Sequence, residues 1–163
     1  MFKLNARSFL MRFFGAALCL TLSATTMAEA CRDIKTIQES ANANNNTAMG
    51  GHVTQHIYGM APPSGTTQLD KTLFEAKGKY DAVWRQYQYI SNPVNCGGGG
   101  QAQQSVSLSA LGIKSLGAYS CTAVNSNGEC TTWNSYMAGS VFFGFILKNK
   151  QWILNTSFPE PLL

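Results

Sequence analysis

Residues 140–157 read SVFFGFILKNKQWILNTS, and this stretch decides the fold. Two runs rich in Val, Ile, Phe, Leu and Trp, Ser140–Lys148 and Gln151–Ser157, flank the polar pair Asn149-Lys150. Strand formers on both sides of a two-residue break specify a β-hairpin. Further back, Ser115–Val124 and Thr131–Met137 read as two more strands around Asn125-Ser126-Asn127-Gly128, a strong turn signal. Val106 and Leu108 alternate with serines. The second half of the chain is therefore an antiparallel sheet.

The periodicity changes upstream. Within residues 32–43, Ile34, Ile37 and Ala41 fall at helical spacing, and Asn44-Asn45-Asn46 ends the segment. Lys79–Ile90 places Tyr80, Trp84 and Tyr87 at i, i+4 and i+7, and Asn92-Pro93 stops it. This stripe reads as a core-facing helix in preference to a platform for stacking bases. His52–Tyr58 predicts a short helix with Val53, His56 and Ile57 on one face, and Thr67–Glu75 a short helix or turn. Pro62-Pro63-Ser64-Gly65 and Gly97–Gly100 read as loops. Helices first and sheet afterwards predict an α+β domain, with N-terminal helices packed on a C-terminal antiparallel sheet. No internal repeat or long linker marks a second domain.

The N-terminus has the three parts of a cleavable secretory signal. Lys3, Arg7 and Arg12 precede an apolar run, Phe13–Leu22, and Ala28-Glu29-Ala30 forms a small-x-small cleavage site. That run is about half the twenty or so residues that a permanent membrane helix needs, so no stable membrane anchor is expected. Cys31 follows the cleavage point, but the Leu usual three residues before a lipidated cysteine is replaced by Ala28. The expected organisation is a signal peptide at 1–30 and one domain at 31–163, secreted or periplasmic. Cleavage removes three of 12 basic and one of 8 acidic residues, so the formal charge falls from +4 to +2. Global charge is then weak support for a nucleic-acid partner.

Of five cysteines, Cys19 leaves with the signal, and Cys31, Cys96, Cys121 and Cys130 remain. An even set in an exported domain predicts disulfides, with three possible pairings. Cys121 and Cys130 flank the Asn125–Gly128 turn, which favours a local bridge and leaves Cys31 with Cys96. A metal site is the rival reading, but no Cys-x-x-Cys or histidine cluster accompanies these cysteines.

His52 and His56 are the only histidines, one helical turn apart and directly after Gly50-Gly51. Two imidazoles on one face can take the proton of a ribose 2′-hydroxyl and protonate a departing 5′-oxygen. Gly50 and Gly51 would let backbone amides approach a phosphate. A zinc-protease helix would carry Glu at position 53, where Val53 stands. No third metal ligand is evident, and neither metal nor cofactor is expected. The plainer reading is structural, with one histidine packed and the other solvated.

Gly-Gly-His opening a short helix, with a terminal strand ending Thr156-Ser157-Phe158-Pro159, resembles the RNase A-like toxin domains of bacterial contact-dependent growth inhibition systems. They belong to the wider barnase-, EndoU-, colicin- and RelE-like ribonuclease group. The resemblance implies helices on an antiparallel sheet and metal-independent RNA cleavage. It implies a catalytic His52 and a Thr156 whose hydroxyl holds a phosphate oxygen. It also implies a basic residue after the first helix, for which Lys71 is the candidate, with Lys77 and Arg85 behind it. The position usually held by Tyr is Phe158 here. The implied partners are RNA and a cognate immunity or inhibitor protein. The competing class is a non-catalytic, disulfide-bonded binding or inhibitor protein whose histidines are incidental.

Overall fold

The computed structural model describes residues 28–162; of the expected signal segment, residues 1–27 lie outside the described residues. The chain runs β1 (Glu29–Ala30), α1 (Lys35–Ala41), α2 (Ala43–Asn46), β2 (Thr72–Phe74), α3 (Lys77–Tyr87), β3 (Asn95–Cys96), β4 (Gln101–Ser107), β5 (Gly117–Val124), β6 (Cys130–Lys148) and β7 (Gln151–Pro161). Single 3-10 turns at Cys31–Asp33 and Val53–His56 lie between these elements. It is an α+β fold with few helices and a mostly antiparallel sheet. Among the described residues no helix is long and apolar enough to cross a membrane.

One strand organises the sheet. The expected strands Thr131–Met137 and Ser140–Lys148 are a single 19-residue strand, β6, that changes partners along its length. Its first part pairs with β5, ending at Gly117↔Met137. Its second part pairs with β4 from Ser107↔Ser140 to Gln101↔Ile146, and with β7 on its other side. The exchange falls at Gly139, the extra residue between Ala138↔Pro161 and Ser140↔Glu160. Glycine suits a bulge of this kind, and a Cβ at 139 would press on Leu162. At the far end, Asn149 (φ 49°) and Lys150 (φ 65°) form the left-handed two-residue turn of the expected hairpin.

Thr67–Glu75, read as a helix or turn, contains β2 instead, paired antiparallel with β5 from Thr72↔Ser120 to Phe74↔Ala118. Three residues are too few to show a strand period. The Asn44–Asn46 run, read as a helix stop, lies within α2. The break comes earlier, at Asn42, whose side chain caps α2 by accepting from the Asn44 amide at 3.1 Å.

Tyr80 and Tyr87 of α3 are fully buried, as a core stripe requires. The Tyr87 ring lies 4.1 Å from that of Phe143 on β6, and Trp84 closes the edge of the same cluster. Both phenols keep partners: Tyr80 donates to Ala41 O at 2.6 Å and Tyr87 to Gln104 Oε1 at 3.0 Å. Two hydrogen bonds join α1 to β7, from Thr36 Oγ1 to Trp152 O (2.6 Å) and from Leu154 N to Ser40 Oγ (2.8 Å). The disulfides are Cys31–Cys96 and Cys121–Cys130, with Cα–Cα distances of 4.9 and 5.8 Å.

Candidate functional site

The histidines sit on the 3-10 turn between α2 and β2, held by two buried side-chain amides. Asn46 donates to Ser40 O (2.8 Å) and Leu154 O (2.7 Å) and accepts from Val53 N (2.8 Å). It therefore ties α1, β7 and the histidine turn together. Gln68 donates to Thr54 O, Ile57 O and Met60 O and accepts from Cys130 N, all within 3.0 Å. Both residues are fully buried, so each satisfies backbone groups that would otherwise be stranded away from water.

Gly50 and Gly51 serve this turn sterically. Their amides are occupied, Gly50 N donating to Thr47 O at 3.0 Å and Gly51 N to Asn46 O at 2.9 Å. The expected amide cradle for phosphate is therefore not available at these two positions. A Cβ on Gly51 would strike the Asn46 amide, and one on Gly50 (φ 92°) would strike the Lys148 ammonium. Lys148, at the end of β6, donates to Gly50 O at 3.0 Å.

A bulge in β7 brings the terminal strand to the histidines. Between Gly144↔Thr156 and Phe145↔Leu154 the strand has one extra residue, Asn155. Asn155 O accepts the His52 amide at 2.7 Å. Three residues on, Phe158 lies 4.9 Å from the His56 ring, and the two histidine rings are 6.1 Å apart. Phe142 stacks on Phe158 at 4.8 Å. Thr156, between Asn155 and Phe158, is buried, and its hydroxyl has no partner among the described residues. An unsatisfied hydroxyl of this kind costs stability, on the order of 1–3 kcal/mol, unless a ligand completes it.

The two imidazoles have different environments. His56 is 7% exposed, and its Nδ1 lies 2.9 Å from Thr72 O. A carbonyl can only accept, so Nδ1 carries hydrogen and Nε2 holds the lone pair. Burial pushes the His56 pKa down to about 4, opposed by the Thr72 carbonyl and reinforced by the charges of His52 and Lys71. His56 is therefore neutral at neutral pH. Half-buried His52 is also shifted down, first by burial and then by Lys71. The Asn155 side chain opposes the shift and Lys148 adds to it. Two ammonium groups thus bear on His52, and an anion seated among them would reverse that bias.

Of the residues expected in the site, His52 and His56 have ring centres 6.1 Å apart, the Lys71 charge bears on both, and Thr156 lies on the strand segment that contacts both histidines. Lys71 is placed just before β2 by Cys121 N donating to Lys71 O at 2.9 Å. Lys77 is instead paired with Asp81 on α3 at 2.7 Å, and Arg85 lies in the last turn of the same helix. Sequence reasoning missed Lys148, Asn155, Asn46 and Gln68. Lys148 read only as the last residue of a strand. The other three are common polar residues whose roles depend on distant partners. Among the described residues no group of three or more His, Cys, Asp and Glu side chains could hold a metal ion. No protein-family model, curated protein or solved structure is significantly similar to this chain.

Proposed function

We propose that the protein is an exported, metal-independent endoribonuclease that cleaves RNA by attack of the ribose 2′-hydroxyl on the adjacent phosphate. The observation that carries this reading is the convergence at β7. His52 bonds to Asn155 and neutral His56 packs on Phe158, with an unpartnered Thr156 hydroxyl on the strand between them and the charges of Lys71 and Lys148 bearing on His52. The resemblance of the Gly-Gly-His and Thr-Ser-Phe-Pro segments to RNase A-like toxin domains points the same way. Helices laid against an antiparallel sheet, as that group implies, would place the histidine turn over the terminal strand.

In this mechanism His56 Nε2 takes the 2′-hydroxyl proton as O2′ bonds to phosphorus. The bond from phosphorus to the 5′-oxygen breaks, and His52, protonated once the phosphate is bound, gives that oxygen its proton. The products are a 2′,3′-cyclic phosphate and a free 5′-hydroxyl. Lys71 and Lys148 offset charge on the phosphoryl oxygens, and the Thr156 hydroxyl donates to one of them. Phe158 has no proton to give; it packs against His56 and holds the ring's orientation.

The test is incubation of the purified, oxidised protein with RNA in EDTA, beside His52→Ala and an all-deoxy substrate of the same sequence. The expected result is RNA cleavage by the wild type, at least a hundredfold less by the variant, and none of the DNA. Equal cleavage by both proteins, or none by the wild type, defeats the proposal. The burial of His56 favours one other reading, a nuclease-like fold kept for binding. On that reading the wild type binds RNA or a protein partner and leaves RNA intact.

A further inference from the structure

Residues of β4, β6 and β7, among them Asn155, which accepts the His52 amide, line an open cleft of about 200 Å³. Its polar lining is Gln101, Gln103, Asn155 and Thr156, and Phe142 and Ile146 supply apolar walls. These positions share one face of the sheet: Gln103 is registered with Gly144, Gly144 with Thr156, and Phe142 with Phe158. Gly144 leaves the floor open, because a Cβ there would meet the Phe142 ring edge and the Thr156 methyl at 3.0 and 3.1 Å.

The lining is uncharged, whereas the adjoining surface at His52 has Lys71 and Lys148 bearing on it. A phosphodiester belongs with the lysines. The neutral cleft suits a neutral group attached to the same chain. Side-chain amides offer donors and acceptors in the same plane, the complement of a nucleobase edge. Phe142 is partly exposed, and a phenyl ring offers a stacking face that every base can use. Phe142 is held in place by its stack on Phe158, which itself abuts His56, so one row of rings runs from the proton-transfer groups into the cleft.

We propose that this cleft binds one unpaired nucleobase of the substrate strand, stacked on Phe142 and hydrogen-bonded by Gln103. The proposal rests on the ribonuclease reading but is tested separately from it. A 2′-O-methyl tetranucleotide lacks the attacking hydroxyl and cannot be cleaved by the proposed mechanism. Its abasic analogue of the same length carries the same phosphate charge. Fluorescence anisotropy with the full protein should show about tenfold weaker binding of the abasic analogue. Phe142→Leu and Gln103→Ala should weaken binding of the tetranucleotide severalfold without weakening binding of the abasic analogue. Tyr89→Ala, which removes an exposed ring outside the cleft, should change neither. Thermal melts of each variant separate loss of binding from loss of folding.

Equal affinity for the two probes, no binding of either, or folded variants that bind like the wild type would overturn the cleft assignment. RNA cleavage measured in parallel distinguishes the two claims. Cleavage without base-dependent binding leaves the nuclease and removes the base site. Base-dependent binding without cleavage does the reverse.

Discussion

At the scale of single residues, two histidines four positions apart have different surroundings. Burial and the Thr72 carbonyl fix His56 as a neutral Nδ1–H tautomer. Because its folded pKa lies near 4, below the ordinary 6.5, the unfolded chain binds more protons between those values. Stability should therefore rise with pH across that window, and about 3 kcal/mol should be lost as pH falls from 6.5 through 4. Urea melts at several pH values test this; His56→Asn should flatten the slope, and an unchanged slope would contradict the assignment. His52 gives a prediction of the opposite kind. Lys148 depresses its pKa and the Asn155 side chain raises it. If His52 is the acid, Lys148→Gln should move the alkaline limb of kcat/KM to higher pH, and Asn155→Ala to lower pH. Limbs that stay in place would remove His52 from the acid role.

At the scale of elements, the site depends on one turn and one bulge. The histidine turn hangs on the Asn46 and Gln68 amides, and Gly51 is glycine because Asn46 leaves no room for a Cβ. Gly51→Ala should destabilise the protein by about 1–3 kcal/mol, the usual cost of overpacking, read as a lower urea midpoint with unchanged slope. The final hairpin was legible in the sequence because its two apolar runs and its Asn149-Lys150 turn are local signals. The core stripe of α3 was legible for the same reason. The continuity of β6 through Gly139 was not, since a glycine between two apolar runs looks like a break until the partner strands are known. The histidines stood out by residue type, whereas Lys71 and Thr156 were singled out only by the resemblance to RNase A-like toxin domains. Lys148 and Asn155 did not stand out, because their importance comes from a hairpin end and a bulge that only tertiary register creates.

At the scale of the whole molecule, two disulfides cross-link the chain. Cys31–Cys96 spans 65 positions and Cys121–Cys130 spans 9. The loop-entropy relation assigns about 4 kcal/mol to the long loop and about 3 to the short one. Paired Cys→Ser substitutions should lower the unfolding free energy in that order, measured by denaturant titration. The pairing itself followed from the turn between Cys121 and Cys130. Glu29-Ala30 pairs with Asn95–Cys96 across the first bridge, so the cleavage after Ala30 expected from the sequence would remove β1 and leave Cys31 tied to the body. Cleavage of RNA through the 2′-hydroxyl is tested most directly by the chemistry of the newly formed end. Mass spectrometry of a short RNA incubated with the oxidised protein in EDTA should show a 2′,3′-cyclic phosphate on the upstream fragment and a 5′-hydroxyl on the downstream one. Intact RNA, or fragments carrying a 5′-phosphate, would contradict the account.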